Sequence, residues 1–173
     1  MSNFVINPSS FSSGVTWEQP NSNRTYTMRA NDGFALMQSL ESGNILIGKS
    51  GSISVTFKLE ENTTSGATSN VICGVWETPG DSDGHNSSSN FELIESKTQA
   101  SMPESLSDVT WSGTISSPLA EGNAIGIMYS NSGTDQINVN TYTSNADNSL
   151  WYKNTGTAES EPDYSNQITV VVG

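Results

Sequence analysis

The chain has 173 residues and a mass of 18.4 kDa, the size of one domain, and it can bury a core without a disulfide or a metal. Acidic residues outnumber basic ones 18 to 6, for a formal charge of -12. The Lys residues (49, 58, 97, 153) and Arg residues (24, 29) stand singly. That excludes a general nucleic-acid binder, which needs clustered cations to meet phosphates. Ser, Thr and Asn make up 65 of the 173 residues. Their short polar side chains compete for backbone hydrogen bonds inside helices, so a helical bundle is excluded as well. The 14 aromatics and the spaced Val and Ile clusters argue against disorder.

In chain order, the first apolar group is Phe4, Val5 and Ile6. TYTMRA (25–30) and FALMQSL (34–40) flank Asn31-Asp32-Gly33, a hairpin signal because Gly takes positive φ at little cost. SISVTFKL (52–59) sets Ile53, Val55, Phe57 and Leu59 on one face. SNVICGVWE (69–77) does the same with Val71, Cys73 and Val75, leaving Trp76 opposite. A helical turn is expected near Pro103-Glu104-Ser105-Leu106. DVTWSGTI (108–115) gives Val109 and Trp111, and NAIGIMYS (123–130) aligns Ile125, Ile127 and Tyr129. DQINVNTY (135–142) aligns Ile137 and Val139, and the chain closes on Ile168, Val170 and Val172.

Repeated alternation of this kind reads as half-buried antiparallel strands. Pro20, Pro79, Pro103, Pro118 and Pro162 fall between these windows, as the missing N–H requires. The expected fold is all-β: one antiparallel β-sandwich domain over residues 1–173, with about ten strands.

The run SPLAEGNAIGIMYSNSGTDQINVNTYTSNADNSLWYKN (117–154) resembles jelly-roll modules of the concanavalin-like and carbohydrate-binding type. In both, a Gly-containing step enters an apolar strand, and a Gly turn, a polar strand and an Asn/Asp loop then precede an aromatic strand. The resemblance spans residues 108–172 and implies the jelly-roll variety of sandwich. Modules of this type occur in phage virion and microbial surface proteins. The shared motif is structural and transfers no catalytic residue.

Catalytic constellations are sparse. His85 is the only His and lies in the polar loop Gly80-Asp81-Ser82-Asp83-Gly84-His85-Asn86, so a nucleophile–His triad would depend on a loop side chain. Glu77, Glu92 and Glu95 flank predicted strands. They fit either a glycosidase acid pair or charged guards of a sheet edge, and the edge role is the simpler reading. Cys73 has no partner for a disulfide. Asp81, Asp83 and Asn86 resemble the first half of a calcium loop, with alternating oxygen ligands and a Gly turn. The third alternating acid and the distal bidentate Glu are missing, and Asp and Gly are also ordinary turn formers. No cofactor is expected beyond a calcium ion at this loop. Glu159-Ser160-Glu161-Pro162-Asp163 reads as a solvated acidic loop.

Aromatic rings are where sugar binding would show, because a ring face stacks on a pyranose. Trp76, Trp151 and Tyr152 are the ligand-binding candidates, with Trp17 another ring that would face outward. For each Trp the simpler reading is the sandwich core, and a subunit contact is a further alternative.

The sequence has no apolar run of membrane-span length, and MSNFVINPSSFSSG has neither the basic nor the apolar part of a signal peptide. With a composition typical of proteins outside cells, the expectation is a non-enzymatic virion structural protein: a capsid decoration or cement subunit, a coat protein or a fibre module. Its expected partners are its own copies and other virion proteins, with no nucleic acid and no membrane. The alternative is an extracellular or tail-associated carbohydrate-binding module that meets surface glycans.

Overall fold

The computed structural model describes residues 14–19, 24–30, 35–62, 67–77, 91–130, 133–143, 150–153, 158–161 and 164–173. Among them are 13 strands. Ten have five residues or more: β1 (Val15–Gln19), β2 (Arg24–Arg29), β3 (Ala35–Ser39), β4 (Gly51–Glu61), β5 (Asn70–Trp76), β6 (Phe91–Thr98), β7 (Ser107–Ile115), β8 (Ala124–Tyr129), β9 (Gln136–Thr143) and β13 (Ile168–Val172). Three are shorter: β10 (Leu150–Lys153), β11 (Ala158–Glu161) and β12 (Tyr164–Asn166). The protein is an all-β structure of two antiparallel sheets, as the alternation predicts. A 3-10 turn at Gln99–Ser101 lies a few residues ahead of the turn expected at 103–106.

In the first sheet β2 pairs with β9, β9 meets β4 at Leu59–Glu61, and β7 lines the other side of β4 along residues 51–59. β13 fills the rest of β4's flank over Ile53–Phe57 and carries β1 beyond it. β12 runs beside β9, and between β12 and β13 the Gln167 N–H donates to the Asn140 carbonyl at 3.0 Å. The second sheet runs β11-β10-β3-β8-β5-β6, so β2 and β3 belong to different sheets and do not form the hairpin expected across residues 31–33.

The alternating residues meet between the sheets. Ile53, Val55, Phe57 and Leu59 of β4 and Ile168, Val170 and Val172 of β13 are buried in one cluster with Val71, Cys73, Val75, Ile125 and Ile127 of the other sheet. Each such side chain contributes roughly 1.5–3 kcal/mol on leaving water. Trp111 lies at the centre, its ring edge-on to Phe57 with centroids 6.0 Å apart. Its indole N–H crosses to the second sheet and donates to the Val71 carbonyl at 3.3 Å.

The outward sides differ in chemistry. On the first sheet, Thr27 donates to Asn138 at 2.9 Å, Asn138 donates to Glu60 at 3.1 Å, and the Thr56 and Thr110 hydroxyls meet at 2.7 Å. Cross-strand pairs of this kind give the abundant Thr and Asn their place. On the second sheet, β8 is buried at all six positions, and Met37, Trp76, Ala124 and Met128 form a separate apolar cluster.

At one end of the sandwich the buried Tyr129 and Gln99 side chains pair with each other. The Tyr129 hydroxyl donates to Gln99 at 2.9 Å, and Gln99 Nε2 donates to the Gln136 carbonyl at 3.0 Å. Gln99 therefore has to point inward, which places the 3-10 turn at 99–101.

Candidate functional site

The two sheets meet edge to edge along β6 and β7. β6 has a bulge: Cys73 registers with Glu95 and Gly74 with Leu93, so Ile94 has no partner residue on β5. Ile94 turns into the core at 8% exposure, and a Cβ on Gly113 of β7 would lie 2.4 Å from its carbonyl oxygen. A bulge bends a strand and re-aims its side chains. Here the outcome is a pair of carboxylates directed at a strand edge. Glu95 Oε2 accepts the Ser112 N–H at 2.7 Å, and Glu92 Oε1 accepts the Ser116 N–H at 2.6 Å and the Ser116 hydroxyl at 2.8 Å.

Desolvation opposes the Glu95 charge, but the Lys97 ammonium at 2.8 Å and the Ser112 N–H outweigh it and hold the carboxyl below its ordinary value. Glu92 and Glu95 thus occupy N–H groups that an edge strand would otherwise offer to another chain. This matches the edge-guard reading of these residues.

Beside this seam lies a recess of about 290 Å³. Val75, Ile115 and Leu119, all nearly buried, contribute its apolar part, with Phe91 and Pro118. Glu77, Glu92, Ser116, Ser117 and Asn123 supply the polar groups. Asn123 is fixed at both ends of its amide: Oδ1 accepts the Ala120 N–H at 2.8 Å, and Nδ2 donates to the Glu77 carbonyl at 3.1 Å. Gly122, with φ of 86°, makes the turn that sets Asn123 in place. No Lys, Arg or His is among the described residues of the lining, so the recess presents mainly hydrogen-bond acceptors.

The residues singled out in the sequence are not gathered here. Trp76 is fully buried at 0% exposure, against Phe91 with ring centroids 4.9 Å apart. This corrects its reading as an outward ligand platform. Trp76 sits on the outer side of its strand, yet the apolar cluster with Met37, Ala124 and Met128 leaves it no free face. Trp17 is likewise no outward platform, since it packs against the main core.

Trp151 and Tyr152 lie on β10, registered with Met37 and Leu36; their side chains fall outside the described residues. Asp81, Asp83, Asn86 and His85 also lie outside them. Among the described residues no three His, Cys, Asp or Glu side chains are grouped to hold a metal ion. No described helix is long and apolar enough to cross a membrane.

Sequence reasoning reached Glu77 and Glu92 but missed Ser116, Ser117 and Asn123. The Glu121-Gly122-Asn123 step was legible as a Gly-containing entry to a strand, but nothing local shows that it meets the β5–β6 hairpin. Compared with known protein families, curated proteins and solved structures, the chain matches none.

Proposed function

We propose that the protein is a non-enzymatic jelly-roll subunit of a virion surface: a capsid decoration or cement protein, a coat protein or a fibre module. The observation that carries this reading is strand order. Counting β2 to β9 as eight consecutive strands, one sheet runs first, eighth, third, sixth (β2-β9-β4-β7), and the other runs second, seventh, fourth, fifth (β3-β8-β5-β6). A doubled Greek key produces that order, and viral capsid domains and lectins are among its users. The outer Thr, Ser and Asn pairs suit a particle exterior. The charge of -12 keeps free subunits apart until a specific surface is met.

Quantitative mass spectrometry of sedimented particles from the source lysate tests this reading. Hundreds of copies per particle fit a coat or decoration protein, and a few fit a fibre. Absence from particles, with the chain free in the medium, overturns it.

The recess favours a second reading, a carbohydrate-binding module. It combines an apolar base with fixed acceptors, the make-up of a small-ligand site.

A further inference from the structure

We propose that the recess between the β5–β6 hairpin and the β7–β8 connection is a subsite for one uncharged sugar unit, such as the terminal residue of a glycan; this rests on the carbohydrate-binding reading above. Size comes first. A cavity of about 290 Å³ stands at the small end of ligand sites, which run roughly 300–1,000 Å³. It has room for one ring rather than a chain.

Hydrogen-bond polarity narrows the chemistry. Glu92, whose carboxylate holds Ser116, lines the recess together with Glu77, Ser116 and Ser117. A surface rich in acceptors calls for a ligand rich in O–H donors, and a pyranose supplies several around one ring. Phe91 and Pro118, over the nearly buried Val75 and Leu119, offer an apolar patch for the C–H face of that ring.

The polar groups are also held in advance. Glu92 keeps one oxygen on the Ser116 N–H and hydroxyl, and Asn123 is tied at both ends, so little side-chain freedom is left to lose on binding. The Glu92 carboxylate sets the selectivity as well. It repels uronic and sialic acids, whose own carboxylates would enter beside it.

The test is a two-dimensional NMR titration of the whole chain with the methyl glycosides of glucose, galactose, mannose and N-acetylglucosamine, alongside methyl glucuronide and arginine. The expected result is saturable shifts centred on Ser116, Ser117 and Asn123 with at least one neutral glycoside. Methyl glucuronide should bind at least about tenfold more weakly than its glucose counterpart. Filling the recess with Ser117→Trp should lower affinity about tenfold or more, while Trp151→Ala leaves it unchanged. The glucoside–glucuronide contrast is read on the unaltered chain and stands whether or not Ser117→Trp folds.

Failure of every neutral glycoside to saturate at about 100 mM overturns both the subsite and the carbohydrate reading. Binding that survives Ser117→Trp and is lost on Trp151→Ala overturns the subsite alone. Tighter saturation of these residues by arginine than by any glycoside overturns it in favour of a pocket for a cationic side chain.

Discussion

Glu92 and Ser116 stand 24 positions apart in the sequence, yet one carboxylate oxygen of Glu92 takes both the N–H and the hydroxyl of Ser116, at 2.6 and 2.8 Å. The pair joins the edge of one sheet to the end of the edge strand of the other. Because the contact is solvent-accessible, its worth is modest. Glu92→Ala should cost about 1 kcal/mol and Glu92→Gln about half of that, since the amide oxygen still accepts. Urea denaturation curves of the three proteins check this, with unchanged slopes expected.

Two glycines separate close approach from backbone conformation. A Cβ on Gly113 would sit 2.4 Å from the Ile94 carbonyl oxygen, which is backbone and gives way only if the seam opens. Gly122 has nothing within 4 Å of such a Cβ but holds φ at 86°. Gly113→Ala is expected to lose about 2–3 kcal/mol through overpacking, and Gly122→Ala about 1 kcal/mol through left-handed strain. Thermal melts of both variants give the order.

Trp76 and Trp111 are both buried, in different clusters. Replacing either by Ala should destabilise by about 3–5 kcal/mol. Trp111→Phe should lose less, keeping most of the packing but giving up the hydrogen bond to Val71. Chemical denaturation followed by circular dichroism measures all three. Near-native stability of Trp76→Ala would contradict the burial of that ring.

Cys73 is fully buried, and desolvation together with the Glu95 charge pushes its thiol well above the ordinary range. The native protein should resist a thiol reagent at pH 8 and react fully in denaturant. Labelling rates measured against urea concentration should follow the opening of the core.

Glu95 and Asp135 both contribute to the acid limit. Burial opposes both charges, but hydrogen bonds from Lys97 and Ser112 in one case, and from Ser69 and Thr68 in the other, hold the folded carboxyls below their ordinary values of 4.5 and 3.8. The unfolded chain therefore binds more protons over that interval, and stability rises with pH across it. The stabilisation is complete above about pH 5 and is lost as pH falls through the folded values, below 3.8 for Asp135. Melting temperatures from pH 7 to 3 should fall on the acid side. Asp135→Asn should melt lower at pH 7 and show a shallower acid decline.

Much of the fold was legible because a strand with one buried face writes a period of two into its sequence. The runs at Ile53–Leu59, Ile125–Tyr129 and Ile168–Val172 are buried at the predicted positions. The outer cluster was not legible. Alternation assigns Trp76 to the solvent side, and only the neighbours Met37 and Met128, from other strands, make that side apolar. The recess was half legible: acidic residues at strand ends can be seen locally, but their partners Ser116 and Asn123 are brought by chain crossings.

The sequence by itself determined the class of structure and its surface chemistry, because periodicity, turn residues and the excess of Ser, Thr and Asn act over a few neighbouring residues. Tertiary structure alone decided which strands pair, that β13 wedges in beside β9 along β4, and that a bulge at Ile94 turns Glu92 and Glu95 into caps for β7. Those outcomes depend on contacts between residues far apart in the chain, whose closure entropy and packing no local pattern records.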